Sequence, residues 1–209
     1  MRLVILGGSG SGKSTQAQKL CSHFDIPQIS TGEILREAMS SNKLLFYPST
    51  SFLQCNNGFA EHVFANVNDL GRHAQPYVAK GELVPDEMMI ELIKLRLTKL
   101  DVNCGWVLEG YPRTAFQAEE LDFLLDELEQ ELNWAIYLQV PEAVMVSRSL
   151  GRSRPDDQPE IVQRRVEVFY DRTVPILEYY DRRRRLLTIN GDQLPEMVQQ
   201  NILTLLSVP

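Results

Sequence analysis

Gly7-Gly8-Ser9-Gly10-Ser11-Gly12-Lys13-Ser14 fits the pattern G-x-x-x-x-G-K-[ST], with the apolar run Arg2–Leu6 before it and a helix-like stretch, Lys13–Phe24, after it. Glycines let a backbone turn with its N–H groups aimed inward, which makes a nest for phosphate oxygens. The helix beginning near Lys13 adds the positive end of its dipole. Lys13 supplies a mobile cation for terminal phosphates, and the Ser14 hydroxyl can approach a magnesium ion. The plain alternative is a glycine-rich turn that carries a lysine by accident. Chance yields the pattern in roughly 1% of chains this long, and the flanking strand and helix make accident rarer still. The loop is therefore expected to bind nucleotide phosphates. It does not name a reaction, because GTPases, ATPases and small-molecule kinases share it.

Outward from this loop, short apolar runs alternate with longer helical patterns. Arg2–Leu6, Ile26–Ile29, Trp106–Leu108, Trp134–Val140 and Leu186–Ile189 read as buried strands. Lys13–Phe24, Asp86–Leu100, Phe116–Glu131, Glu160–Arg184 and Pro195–Leu206 read as helices. Such alternation predicts an α/β fold: a parallel β-sheet with helices on both faces, of the P-loop NTPase kind. Ligands in such sheets sit beyond the carboxyl ends of the strands, so the loops that follow strands hold the candidate site. Two segments break the rhythm: Ser40–Asn68, with little periodicity and several aromatics, and the short polar Gly151–Pro159.

The 209 residues suffice for one full α/β domain with small insertions. A net charge of -7 argues against a broad nucleic-acid surface, which needs excess Lys and Arg. The opening apolar run ends at Leu6, far short of a signal-peptide core, and no stretch approaches bilayer length. Cys21, Cys55 and Cys104 are odd in number and lack CxxC spacing, so neither a disulfide framework nor a zinc site is expected. These features predict a cytoplasmic chain without nucleic-acid or membrane partners.

Further motifs narrow the reaction. Ser30-Thr31-Gly32-Glu33-Ile34-Leu35-Arg36 follows the second strand, Gly81-Glu82-Leu83-Val84-Pro85 comes later, and Glu109-Gly110-Tyr111-Pro112-Arg113-Thr114 closes the third strand, with Gln117 beyond. The C-terminal half adds SLGRSRPDD at 149–157, QRRVEVFYDRTVPILEYY at 163–180 and ING at 189–191. In order and across nearly the whole chain, these resemble the adenylate kinase family of P-loop nucleoside monophosphate kinases, in its short-lid form. Ser40–Asn68 is the stretch not covered.

The resemblance implies reversible phosphoryl transfer from magnesium-bound ATP to AMP, giving two ADP, with no zinc and a monomeric chain serving nucleotide homeostasis. It implies that Gly10, Ser11, Gly12, Lys13, Ser14 and Thr15 hold the ATP phosphates, with Arg152 on the ATP side and Gln193 at ATP's adenine. It places AMP against Thr31, Arg36, Glu82, Leu83, Val84, Gly110, Tyr111, Pro112, Arg113 and Gln117; Arg36 and Arg113 would grip its phosphate and Gln117 would read its adenine. Arg148, Arg154 and Arg165 join Lys13 and Arg113 around the reacting phosphates, Arg154 and Arg165 touching the transferring group. It also implies a core of 1–29, 85–150 and 161–209, a monophosphate-binding domain of 30–84 that carries the unusual insertion of about 40–68, and a short lid of 151–160.

Each residue has a duller reading beside this one. Thr31 suits a helix N-cap, Arg36 a solvated helix face, and Pro112-Arg113 a plain turn. Arg182–Arg185, at a helix end, complements the dipole and is given no chemistry. Asp156 and Asp157 are expected to pair with lid or core arginines. Four positions depart from the family's usual pattern: Ser14 for Gly, Glu33 for Asp, Glu109 for an Asp implicated in holding a magnesium-bound water, and the insertion. The extra methylene of Glu109 shifts its carboxylate by about 1.5 Å. Two rivals remain: a UMP/CMP-type kinase, whose relatives usually carry Ala and Asn where Thr31 and Gln117 stand, and a catalytically silent nucleotide-binding module. A GTPase switch is weaker, since no N-K-x-D string appears.

Overall fold

A computed structural model describes residues 1–40, 71–152, 154 and 157–207. The expected insertion is outside the described residues except at its first position. Five strands, β1 (Arg2–Leu6), β2 (Gln28–Ser30), β3 (Trp106–Glu109), β4 (Trp134–Gln139) and β5 (Leu186–Asn190), form one sheet in the order β2-β3-β1-β4-β5. All four pairings are parallel. Strands covered on both faces should be apolar throughout rather than alternating, and β1 has Leu3, Val4, Ile5 and Leu6 all buried.

Alternation along the strands divides that apolar set between two cores. Val4 and Leu6 join Ile29, Trp106, Leu108 and Ala135 beneath α4 (Asp86–Leu97), α5 (Ala115–Glu127) and α8 (Pro175–Arg182). Leu3 and Ile5 join Val107, Ile136, Leu138 and Ile189 beneath α1 (Lys13–Phe24) and α9 (Pro195–Leu206). The remaining helices stand at the carboxyl ends of the strands: α2 (Thr31–Ser40), α3 (71–80), α6 (Glu142–Gly151) and α7 (Pro159–Val168). The layered parallel sheet is that of a P-loop NTPase.

The ends of α1 and α9 fall where the sequence places them. Several other boundaries move, each for a local reason. The second strand begins at Gln28 rather than Ile26, because Pro27 has no N–H to give; its carbonyl accepts from Val107 N at 3.0 Å, and the ladder proper starts one residue on. The expected Asp86–Leu100 helix stops at Leu97, and a short 3-10 turn, Leu100–Val102, follows. The helix expected to reach Glu131 stops at Glu127, where Glu129 turns left-handed and Gln130 N bonds back to Leu125 O at 2.8 Å. The single helix expected over Glu160–Arg184 is three pieces: α7, a π-helical turn over Phe169–Thr173, and α8. Pro175 cannot donate to the preceding turn, so the ladder widens, with Val174 N bonded to Phe169 O at 3.0 Å, and α8 restarts with proline in its first turn.

Leu20 on α1 is 0% exposed in the second core. Leu20→Ala is expected to cost about 2–5 kcal/mol of unfolding free energy in urea titrations, through lost transfer energy and a residual cavity. A loss below about 1 kcal/mol would mean that α1 does not pack against the sheet as described.

Candidate active site

The site lies beyond the carboxyl ends of β1, β2 and β3. After Leu6 the chain turns through the glycine-rich loop into α1. Gly10 has φ 82°, and a Cβ there would sit 2.2 Å from Met145 O on α6, so only glycine lets the loop pass so close. Lys13 folds over the turn and donates to Gly7 O and Gly8 O, both at 2.7 Å. The Ser11 hydroxyl is buried and has no hydrogen-bond partner.

Parallel register brings the ends of β2 and β3 side by side, with Ser30 opposite Glu109. Glu109 is a buried carboxylate ending an apolar strand. Its Oε1 accepts from Ser30 Oγ at 2.7 Å, Ser14 Oγ at 3.0 Å and Gln28 Nε2 at 3.4 Å. Its Oε2 is buried without a hydrogen bond. Thr31 Oγ1 donates to Glu109 O at 3.3 Å, and it is the Ser30 hydroxyl that accepts from Glu33 N, at 3.4 Å. The N-cap role expected for Thr31 therefore belongs to Ser30, because the Thr31 hydroxyl is taken up on the strand end. A Cβ at Gly110, whose φ is 82°, would stand 2.4 Å from Thr31 Oγ1, which reserves that position for glycine.

The cavity collects cations from distant segments. Lys13, Arg36 on α2, Arg113 after β3, Arg152 at the end of α6, Arg154, and Arg165 on α7 all line it. So do Ser14, Thr31, Glu82, Leu83, Val84, Glu109, Gly110, Pro112 and Gln117. Gly10, Ser11, Gly12 and Thr15 stand behind the lining, in the loop and the start of α1, and Tyr111 is buried in the core. Arg148 and Gln193 stand apart from the cavity: Arg148 donates to Gly191 O at 3.1 Å and pairs with Asp192 at 3.0 Å, and Gln193 accepts from Asn201 at 3.0 Å.

Two acids hold the ring together. Asp157, whose side chain is 1% exposed, takes Arg152 at 3.1 Å and Arg165 at 3.4 Å on the same oxygen. Its other oxygen is buried without a hydrogen bond. Arg152 also donates to Ser9 Oγ at 2.9 Å, tying the end of α6 to the glycine-rich loop. The expected pairing of Asp157 with arginines is thus present, and Asp156 is outside the described residues. Glu109 is the second acid and faces Lys13 and Arg113 through the cavity.

The electrostatic cost of this crowding is visible in the cations. Burial brings the Lys13 ammonium down to about 7; the charges of Arg113 and Arg152 press the same way, and Glu109 opposes them. Arg113 is exposed at the cavity, yet the protein around it displaces enough solvent to lower its pKa, and Arg165 and Arg36 add to the shift.

Ser30, Ser9, Asp86 and Thr173 escape a reading of motifs alone. Thr173 Oγ1, in the π-helical turn, donates to Arg113 O at 3.1 Å. Gln117 is clasped from both sides: its Oε1 accepts from Arg113 N at 2.8 Å, and its Nε2 donates to Asp86 Oδ1 at 2.8 Å. The signal available for Glu109 and Ser30 is polarity at the ends of apolar strands. Asp86 and Thr173 lie in helical stretches where a polar residue is ordinary.

A glycine-rich loop between β1 and α1, with a basic ring opening beyond it, defines the class: a P-loop phosphotransferase for nucleotides. Comparison with known proteins agrees. The adenylate kinase family model matches residues 57–185, and an AAA domain model matches residues 6–49. Adenylate kinase 2 of Nostoc sp. is 74% identical over 208 residues, covering 100% of both chains. Adenylate kinase 2 of Synechocystis sp. is 49% identical over 95% of this chain and 98% of its own. Adenylate kinase of Acetivibrio thermocellus is 32% identical over 99% and 98%. The chain belongs to the adenylate kinase family and is an enzyme of nucleoside monophosphate phosphoryl transfer.

Lys13 gives a pH test of the phosphate cradle. A polyphosphate beside it favours the ammonium form, so nucleotide binding above pH 7 takes up a proton. ATP affinity should be flat well below pH 7 and fall above it by up to about tenfold per pH unit. Calorimetry at pH 8 in two buffers of different ionisation enthalpy should show net proton uptake. In the free protein the same lowered pKa makes stability rise with pH from about 7 towards 10.5, since the unfolded chain binds that proton more tightly. Binding with no proton uptake at pH 8 would place the phosphates away from Lys13.

Proposed function

We propose that the chain moves the terminal phosphoryl group of magnesium-bound ATP to AMP, reversibly, to give two ADP. The observation that carries this reading is the convergence of Lys13, Arg36, Arg113, Arg152, Arg154 and Arg165 on one cavity at the mouth of the glycine-rich loop. Phosphoryl transfer asks for positioning and countercharge more than for covalent help. AMP's phosphate carries about -1.5 to -2 charge at neutral pH and needs no general base. Two like unit charges 4 Å apart repel by about 4 kcal/mol at an effective dielectric of 20, so the reactants approach only with cations between them. Arginine's planar fork suits phosphate oxygens, and an in-line transfer flanked by Arg113, Arg154 and Arg165 follows.

In this reading Gly10 to Thr15 hold the ATP phosphates, with Arg152 beside them. Gln193 belongs to the adenine of ATP, beside the loop after β5; Arg148, expected around the reacting phosphates, is held at that loop instead by Gly191 O and Asp192. Thr31, Arg36, Glu82, Leu83, Val84, Gly110–Arg113 and Gln117 receive AMP. Magnesium enters with ATP as part of the substrate and neutralises charge on its phosphates. Ser14 and Glu109 fit it: the orphaned Glu109 Oε2 is a hard, negative oxygen beside the loop, suited to a water shell. Residues 1–29, 85–150 and 161–209 form the core, 30–84 the monophosphate-binding domain and 151–160 the short lid, whose closure would exclude water. All of these residues come from one chain, so a monomer suffices, working in the cytoplasm to balance adenine nucleotides.

The test is to incubate the protein with magnesium ATP and each nucleoside monophosphate and to quantify the diphosphates. ADP from AMP is expected, with UMP and CMP far slower. Lys13→Met should lower turnover by about 10³-fold or more. A pyrimidine preference would overturn the adenine assignment, and folded protein that transfers to no acceptor would favour a silent nucleotide-binding module.

A further inference from the structure

The Gln117 carboxamide is 2% exposed and borders the cavity. It owns two N–H donors and two acceptor lone pairs. The protein claims one of each: Nε2 donates to Asp86 Oδ1 at 2.8 Å, and Oε1 accepts from Arg113 N at 2.8 Å. One donor and one acceptor are left for a ligand. Adenine needs that pair, since its N1 accepts and its N6 amino group donates. Hypoxanthine presents the reverse, an N1–H donor and an O6 acceptor, on a ring of the same outline.

A free carboxamide could serve either base by rotating half a turn about its last bond. Here a flip is penalised twice, because it would face Oε1 against the Asp86 carboxylate and an N–H against the Arg113 N–H. The backbone donor alone fixes one end; the acceptor-only carboxylate fixes the other. Asp86 is itself held in place. It stands in the first turn of α4, where the helix dipole favours a negative charge, and its Oδ2 accepts from Thr114 Oγ1 at 3.2 Å. The Thr114 hydroxyl in turn accepts from Gln117 N at 3.2 Å, capping α5. The two helices are thus locked to the same carboxylate, which does not itself line the cavity and meets it only through Gln117.

We propose that Asp86 is a positioning residue that sets purine specificity, by holding the Gln117 amide in the one orientation that reads a 6-aminopurine and rejects a 6-oxopurine. This inference rests on the reading of Gln117 as the adenine contact of the AMP site.

The experiment measures kcat/KM for AMP and for IMP, at saturating magnesium ATP, in the wild-type chain, Asp86→Asn and Gln117→Ala. An asparagine can turn its own amide to donate to a flipped Gln117 Oε1, which removes one of the two penalties and leaves only the Arg113 N–H opposing the flip. Asp86→Asn is expected to lower the AMP-to-IMP ratio by about tenfold or more, with KM for ATP unchanged within about twofold. A merely structural role would lower both substrates together and leave the ratio unmoved. An unchanged ratio in folded Asp86→Asn, with a collapsed ratio in Gln117→Ala, overturns the role of Asp86 and leaves the adenine contact standing. An unchanged ratio in Gln117→Ala removes the adenine contact itself, and the inference with it. Should Asp86→Asn fail to fold, Asp86→Ser, which retains a polar side chain at the start of α4 but is too short for the Gln117 bond, is read in the same way.

Discussion

Repulsion among cations gathered in one cavity is the constraint around which the rest of this molecule is arranged. The chain is acidic overall, with 28 acidic against 21 basic residues, yet it brings a lysine and five arginines to the edge of its sheet. Each pair of guanidinium groups at close range costs several kcal/mol in a poorly hydrated site. At Lys13 repulsion comes on top of burial: loss of water first, then the charges of Arg113 and Arg152, bring its ammonium down to about 7 against the pull of Glu109. The ring is held because carbonyls, hydroxyls and two buried acids absorb part of that charge. Gly7 O and Gly8 O hold Lys13, Gly110 O holds Arg113, and Asp157 bridges Arg152 and Arg165. A polyanionic ligand enters a cavity already built to need one.

The fold was legible wherever burial wrote a strong pattern. Strands covered on both faces appear as unbroken apolar runs, and α1 and α9 are bracketed by residues with conformational demands of their own, Gly12 with φ 93° and Pro195 in a first helical turn. The helices that were not set out in advance bury little. Among its described side chains α6 buries only Met145 and Ser149, and α3 turns inward a thin stripe of Gly71, Ala74 and Val78. Gly71 packs so tightly on α2 that a Cβ would stand 2.4 Å from Ala38 O. Helices held by small residues and by their place at the site carry no wide apolar face, so periodicity passes over them. The break at Pro175 is the opposite case: its cause lay open in the sequence, but a long amphipathic stretch masked it.

For the site, motifs of glycine, lysine and arginine were readable because phosphate chemistry restricts the residue types that can serve. The residues that aim them were not. Asp157, five residues from Arg152, was the exception; nothing local distinguishes Asp86 among 28 acids, since its partner lies elsewhere: Asp86 meets Gln117 31 positions on, and Ser30 meets Glu109 79 positions on. Ser30 and Glu109 become neighbours only when β2 and β3 pair in one particular parallel register. A shift of one residue in that register would reverse which face each side chain occupies and would take the hydroxyl from the carboxylate. Fold and site are therefore one problem at this strand end, and sequence motifs describe only its outer layer.

Asp157 carries the same logic from aiming to motion. Asp157 and Arg152 both belong to the 151–160 segment, and Arg165 stands in the last turn of α7. One carboxylate oxygen thus ties the end of α6 to α7. In the proposed reaction the phosphates would compete with Asp157 for the same guanidinium N–H groups. Contacts made to Arg152 and Arg165 by ligand must then exceed those surrendered, and the difference, rather than the gross attraction of cation for phosphate, sets how far binding can shift this segment. A buried acid whose second oxygen has no hydrogen bond is poorly satisfied in the free state. Releasing either arginine to a phosphate would leave that buried carboxylate short of countercharge, so the ligand's contacts must cover this cost as well.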